Sequence, residues 1–152
     1  RVIFEELGVK YEEIKSMVDN TFPDNDLASP FASGSNHFDS LVILPCSIST
    51  LNKIASGISD TLITRMAQIA LKERRRLIIA VRETPLDSIT LENALKLSNA
   101  GAIIAPVCPG LYMEESSISD LANTFSKKIL SLIGAEKENG WRSRDIHEPT
   151  EV

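Results

Sequence analysis

Leu77-Ile78-Ile79-Ala80-Val81 runs without a polar residue straight into Arg82-Glu83-Thr84-Pro85. An unbroken apolar run of this kind, with no alternation, predicts a strand covered on both faces, as in a parallel sheet lying between helices. Two other runs repeat the arrangement. Leu41-Val42-Ile43-Leu44 opens into Pro45-Cys46-Ser47-Ile48-Ser49-Thr50-Leu51, and Ala102-Ile103-Ile104-Ala105 opens into Pro106-Val107-Cys108-Pro109-Gly110-Leu111-Tyr112. A helical pattern follows each loop, so the chain predicts an α/β domain of three layers around a parallel sheet. Such sheets bind their ligands beyond the carboxyl ends of the strands, where these three loops converge.

Working outward, residues 11–18 read as a short helix and residues 19–36 as a polar loop carrying Pro23, Pro30 and Ser33-Gly34-Ser35. At about 18 residues that loop is long for a compact domain, which marks it as functional or disordered; we expect it to reach a neighbouring subunit. The first strand spans residues 40–45. A helical pattern covers residues 50–74, broken near Gly57 and restarted with Asp60 as N-cap. Residues 89–99 form a helix ending at Gly101, and residues 102–105 form the third strand. An amphipathic helix over residues 119–133 ends at Gly134. The α/β domain thus occupies residues 1–134, and residues 135–152 form a polar tail. Arg1 to Gly8 reads like the last turns of a helix closing on Gly8, which predicts an upstream strand–helix unit of roughly 30 residues.

Composition narrows the function classes. The chain has 152 residues, 43% of them hydrophobic, enough for one core without disulfide or metal support. A net charge of −5 argues against non-specific nucleic-acid binding. Cys46 and Cys108 form no Cys-x-x-Cys pair, which fits a reducing cytoplasm, and His37 and His147 are too few to build a structural zinc site with them. No apolar run approaches the roughly 18 residues of a membrane span, and no signal peptide is visible.

Each loop admits a functional and a bland reading. At Ser47 to Thr50 the free N–H groups of a helix start suit an anionic or carbonyl-bearing ligand, or the hydroxyls simply cap the helix. Cys46 reads better as a small buried residue than as a nucleophile. The cations of Leu71-Lys72-Glu73-Arg74-Arg75-Arg76 fit a solvated helix end, whereas Arg65, among apolar neighbours, is a better ligand or interface candidate. Arg82 directly follows a buried strand, and its planar fork suits phosphate. Glu83 beside it is an acid/base candidate, with a structural ion pair as the alternative. Pro106 and Pro109 stiffen a loop that presents Tyr112 to a ligand or to the core.

Taken together, Pro45-Cys46-Ser47-x-x-Thr50-Leu51, Leu71-Lys72-Glu73-Arg74-Arg75, Arg82-Glu83-Thr84-Pro85-Leu86 and Gly101-Ala102-x-Ile104-x-Pro106-x-x-Pro109-x-x-Tyr112 resemble the UbiX-type flavin prenyltransferases, formerly described as aromatic-acid decarboxylases. The resemblance runs from about Glu6 to Gly134. It implies a Rossmann-like, flavodoxin-like fold and transfer of a dimethylallyl group from dimethylallyl phosphate to N5 and C6 of reduced FMN. The product, prenylated FMN, serves a partner decarboxylase. By motif, Ser47, Ile48, Ser49, Thr50 and Arg82 correspond to FMN-binding positions, and Tyr112 and Lys128 to donor-binding ones. Lys128 stands where the family often has Arg, which keeps the charge and loses the bidentate fork. Glu83, Lys72, Arg65 and Glu6 correspond to catalytic positions, and Trp141 to a tail aromatic. The family's Gly-rich flavin turn has no counterpart here, and the resemblance places it upstream of Arg1.

The resemblance also implies a homo-oligomer, often a dodecamer, without metal, nucleic acid or membrane span. The residue types suit the chemistry. Departing phosphate gathers negative charge for Lys and Arg to meet, while aromatic groups face an allylic cation. Two alternatives share the flavin-binding architecture. One is a decarboxylase of the phosphopantothenoylcysteine or peptidyl-cysteine type, whose Pro-x-Met-Asn-x-x-Met loop is missing here. The other is a non-catalytic flavin-binding decarboxylase subunit, which would not need Glu83, Tyr112 and Lys128 together.

Overall fold

The computed structural model describes residues 8–108 and 117–135. Three parallel strands, β1 (Ser40–Cys46), β2 (Arg76–Val81) and β3 (Ile103–Ile104), stand in the order β1-β2-β3. Leu41 faces Leu77 and Ile43 faces Ile79 across the first pair, and Ile78 and Ile79 face Ile103 and Ile104 across the second. The β1–β2 register slips between Ile43 and Cys46. Pro45 lies in that interval, and it has no N–H to offer the ladder.

Among the described residues the helices are α1 (Tyr11–Lys15), α2 (Ile48–Ala55), α3 (Leu62–Lys72), α4 (Ser88–Asn99) and α5 (Ile118–Ile133), with a 3-10 turn at Pro30–Ala32. Residues 77–81 of β2 are all buried, as the unbroken apolar run requires. Leu77, Ile79 and Val81 join Leu51, Ile54 and Ala55 of α2, Ala67 and Ala70 of α3 and Leu97 of α4 in one core. Ile78 and Ala80 alternate to the opposite face, where α5 lies against β2 and buries Ile129. Two helical layers thus enclose the sheet, as expected for a three-layer α/β fold.

Helix starts follow the capping chemistry. Ser47 accepts from the Thr50 N–H at 3.2 Å, and Asp87 accepts from the Thr90 N–H at 2.9 Å. The helix restart differs from expectation, because Thr61 caps α3 in place of Asp60. Thr61 Oγ1 accepts from the Thr64 N–H and Thr64 Oγ1 accepts from the Thr61 N–H, while the Asp60 carboxylate is drawn to Lys53 Nζ at 2.6 Å. At the far end of α3, Arg74 takes φ 58°, a left-handed position usually given to glycine. There the Arg75 N–H donates to Ala70 O at 2.8 Å and the Arg74 N–H to Leu71 O at 3.3 Å, closing the helix.

The long loop before β1 is tied back onto α3 of its own chain. Asp24 accepts from the N–H groups of Leu62 and Ile63, so it holds the start of α3. Arg65 Nε donates to Ala32 O, and the Arg75 guanidinium donates to Gly34 O and Asn36 O. Arg75 also lies 4.6 Å from the Phe38 ring, which continues an edge-to-face series through Phe31 to Phe22.

Candidate functional site

The carboxyl ends of the strands bring two sequence motifs side by side. The Arg82 N–H donates to Cys46 O at 3.3 Å, which sets the exit of β2 directly beside Ser47. The Val107 N–H donates to Val81 O at 2.8 Å, which sets the loop after β3 on the other side. A cavity of about 440 Å³ opens here, lined by Arg82, Glu83, Thr84, Pro106, Val107 and Cys108. Ser47, Arg82 and Val107 therefore share one end of the sheet, where an α/β sheet places its ligands.

The start of α2 is electrically open. Its cap is the neutral Ser47, which also shares a hydroxyl–hydroxyl bond of 3.1 Å with Thr50, and no acidic residue stands in its first turn. The positive end of the helix dipole is left for a ligand. By contrast α4 begins on the Asp87 carboxylate, whose pKa is lowered first by the Thr90 N–H it accepts from and then by the Thr90 hydroxyl. Of these two helix starts, α2 suits an anionic ligand.

Cys46 is 1% exposed, and burial pushes its thiol up to about 11, partly opposed by the Leu51 N–H. It is a core residue and holds no thiolate at neutral pH. Cys108, in contrast, is exposed on the cavity rim. Thr84 and Cys108 are lining residues that sequence reasoning did not single out. Their positions directly after β2 and β3 were the available signal.

Other expected site residues stand elsewhere in this chain. Arg65 is engaged with the loop at Ala32, and Lys72 Nζ lies 3.2 Å from Glu73 Oε1 next to Gly34, at the amino end of the strands. Lys128 is exposed on α5, near the helix end that closes at Gly134 beside Arg76. Tyr112 and Glu6 lie outside the described residues. A larger cleft of about 700 Å³, lined in part by His37, Asp39, Arg74 and Arg76, lies at that amino end. The carbonyl ends of α3 and α5 meet there beside Arg74, Arg75 and Arg76.

Residues 3–133 match the Flavoprotein family. A flavin prenyltransferase UbiX of Methanocaldococcus jannaschii is 46% identical over 136 residues, which is 90% of this chain and 74% of the relative. The crystal structure of AnUbiX (PadA1) in complex with FMN and dimethylallyl pyrophosphate superposes with a TM-score of 0.85 at 40% identity, covering 92% of this chain and 77% of that one. A dodecameric FMN-dependent UbiX-like decarboxylase from Escherichia coli O157:H7 superposes with a TM-score of 0.87 at 31% identity, covering 92% and 76%. On these likenesses the chain belongs to the Flavoprotein family, within it to the UbiX flavin prenyltransferases.

Proposed function

We infer that this chain is a flavin prenyltransferase that moves a dimethylallyl group from dimethylallyl phosphate to N5 and C6 of reduced FMN. The observation that carries this reading is that a neutral-capped helix start, Ser47 to Thr50, follows directly on Cys46, whose carbonyl accepts from the Arg82 N–H, while Arg82 and Glu83 line the adjacent cavity. Ser47, Ile48, Ser49 and Thr50 hold the flavin through the open N–H groups of α2, and Arg82 supplies the cation for its polar edge or phosphate. Tyr112 and Lys128 take the donor's phosphate. In the reaction the allylic C–O bond breaks, phosphate leaves with the bonding pair, and the freed carbon joins N5, which sheds its proton; the remaining double bond then takes up a proton, its tertiary carbon bonds to C6, and C6 sheds its hydrogen as a proton. Glu83 accepts and returns the protons. Lysine and arginine meet the charge growing on the departing phosphate, so no step calls for a metal. Glu6 belongs to the same acid set.

Arg65, Lys72 and Lys128 are not among the residues that line their own chain's cavity, and we assign them to the wall that a neighbouring copy supplies. A small domain with an open cavity gains its missing walls through association, and the dodecameric relative supports a homo-oligomer. The product, prenylated FMN, passes to a partner decarboxylase. Unpaired thiols support work in the cytoplasm, and among the described residues no helix is long and apolar enough to cross a membrane. The decarboxylase alternative is not favoured, since the relative matched along 90% of the chain is a prenyltransferase. Incubation with reduced FMN and dimethylallyl phosphate, followed by mass measurement of the released flavin, tests the reading. Gain of one five-carbon unit is the expected result, and unmodified flavin would refute it.

A further inference from the structure

The helices that carry the two halves of the candidate site run side by side, and a polar contact joins them within a largely apolar seam. Asn93 Nδ2 of α4 donates to Asn52 Oδ1 of α2 at 3.0 Å, and both side chains are partly withdrawn from water. Around them Leu51, Ile54, Ala55 and Leu97 are buried and Ala94 packs against the same cluster. Apolar contacts of this kind attract without direction, so they permit one helix to slide along the other. A hydrogen bond does not, because it weakens steeply with displacement and angle. The amide pair is the contact best suited to fix height along the seam.

That height bears on the site. Both helices begin at the carboxyl ends of parallel strands, α2 on Ser47 and α4 on Asp87, just beyond Arg82 and Glu83. At a rise of about 1.5 Å per residue, the bond lies about 7.5 Å below the Ser47 cap and about 9 Å below the Asp87 cap. The two helix starts are thereby held nearly level. Sliding α2 against α4 would move whatever the Ser47 turn holds past the Glu83 carboxylate, and proton transfer needs heavy atoms within about 2.6–3.2 Å.

We propose that Asn52 and Asn93 are positioning residues for prenyl transfer, their amide bond setting the height of the flavin-holding turn against Arg82 and Glu83. The inference rests on the reading of that cavity as the flavin site. It assigns the pair no contact with flavin or donor, and its effect falls on geometry at the reacting atoms.

The chemistry of the amides supplies an internal control. Asn52 acts only as acceptor, so Asn52→Asp keeps the bond. Two carboxylates in the double variant Asn52→Asp/Asn93→Asp leave no donor and repel each other, and Asn93→Leu removes the donor outright. In the full chain, FMN affinity, donor KM, kcat and the visible circular dichroism of bound flavin are measured for each variant. Asn52→Asp should stay within about twofold of the wild type. The double variant and Asn93→Leu should lose about 10- to 100-fold in kcat, the scale of a misplacement near 1 Å, with FMN affinity and donor KM within about threefold and an altered flavin dichroism band. Should Asn93→Leu not fold, Asn52→Ala removes the acceptor at less cost in volume and is read in the same way. Broken-pair variants that melt earlier but keep wild-type kcat and dichroism when saturated with FMN would overturn the proposal, as would an Asn52→Asp variant as slow as Asn93→Leu. A wild-type chain that neither binds FMN nor prenylates it overturns the site reading as well, which separates the two failures.

Discussion

Glu83 and Cys46 show how a few ångströms of chain decide between chemistry and packing. Glu83 stands on the exposed side of the strand exit, on the wall of the cavity, where a carboxylate can reach a bound molecule. Replacing it by glutamine keeps its shape and removes the ionisable oxygen. Glu83→Gln should therefore leave FMN binding intact and slow prenyl transfer by about 10²–10⁴-fold, as single-turnover kinetics would show. Cys46 sits at the end of the neighbouring strand with its side chain turned into the core. Because burial raises its thiol to about 11, it should resist alkylation in the folded protein while Cys108 reacts. Mass spectrometry after iodoacetamide treatment should find label at Cys108 alone, with Cys46 labelled only after unfolding. The bland reading of Cys46 was legible in the sequence, since an apolar run precedes it and no histidine is near. The placing of Arg65 and Lys72 was not, because helix periodicity gives the face a residue occupies and not the partner that face meets.

At the scale of elements, capping chemistry set most helix starts, and competition for side chains explains where the sequence reading missed. Asp60 and Thr61 are both good caps, and nothing local to them shows that Lys53 will claim the carboxylate and leave the helix to Thr61. The first helix stops at Lys15, short of residue 18; it buries no residue, and the Ser16 hydroxyl turns back onto Glu13 O. The third strand is limited to Ile103–Ile104, although the Ala105 and Val107 N–H groups still donate to Ile79 O and Val81 O of β2. The Asp87 cap carries a pH consequence. A carboxylate held below its ordinary value near 3.9 stabilises the fold above that value, and the contribution is lost as pH falls through the lower folded value. Asparagine in its place keeps one capping oxygen but loses the charge and the second acceptor that holds the Thr90 hydroxyl, and it does not titrate. The wild type should melt above Asp87→Asn at pH 6, and the gap should close towards pH 3 in a series of thermal scans.

For the whole molecule, the parallel sheet and the site at its carboxyl ends were readable from three apolar runs, because a strand buried on both faces leaves no other composition open. The behaviour of residues 19–39 was hidden, since their ties are to residues some 30 to 40 positions away, a separation that local pattern cannot span. Association is the other property set at this scale. If neighbouring copies complete the cavity, light scattering after size exclusion should give an oligomer, and dilution to the monomer should release FMN; a monomer with tight flavin binding would contradict it. The clamped loop itself has a consequence for how the fold opens. It has little regular structure of its own, yet Asp24, Arg65 and Arg75 fasten it to the start, middle and end of α3. Releasing the loop bares the first amides of that helix, and fraying the helix frees the loop, so the two behave as one cooperative unit. In hydrogen–deuterium exchange, the amides of Leu62 and Ile63 should carry the same protection as those deeper in α3, where the first turn of a helix ordinarily exchanges freely, and Asp24→Ala, which removes the carboxylate that holds Ile63 and keeps the carbonyl that holds Leu62, should expose Ile63 more than Leu62.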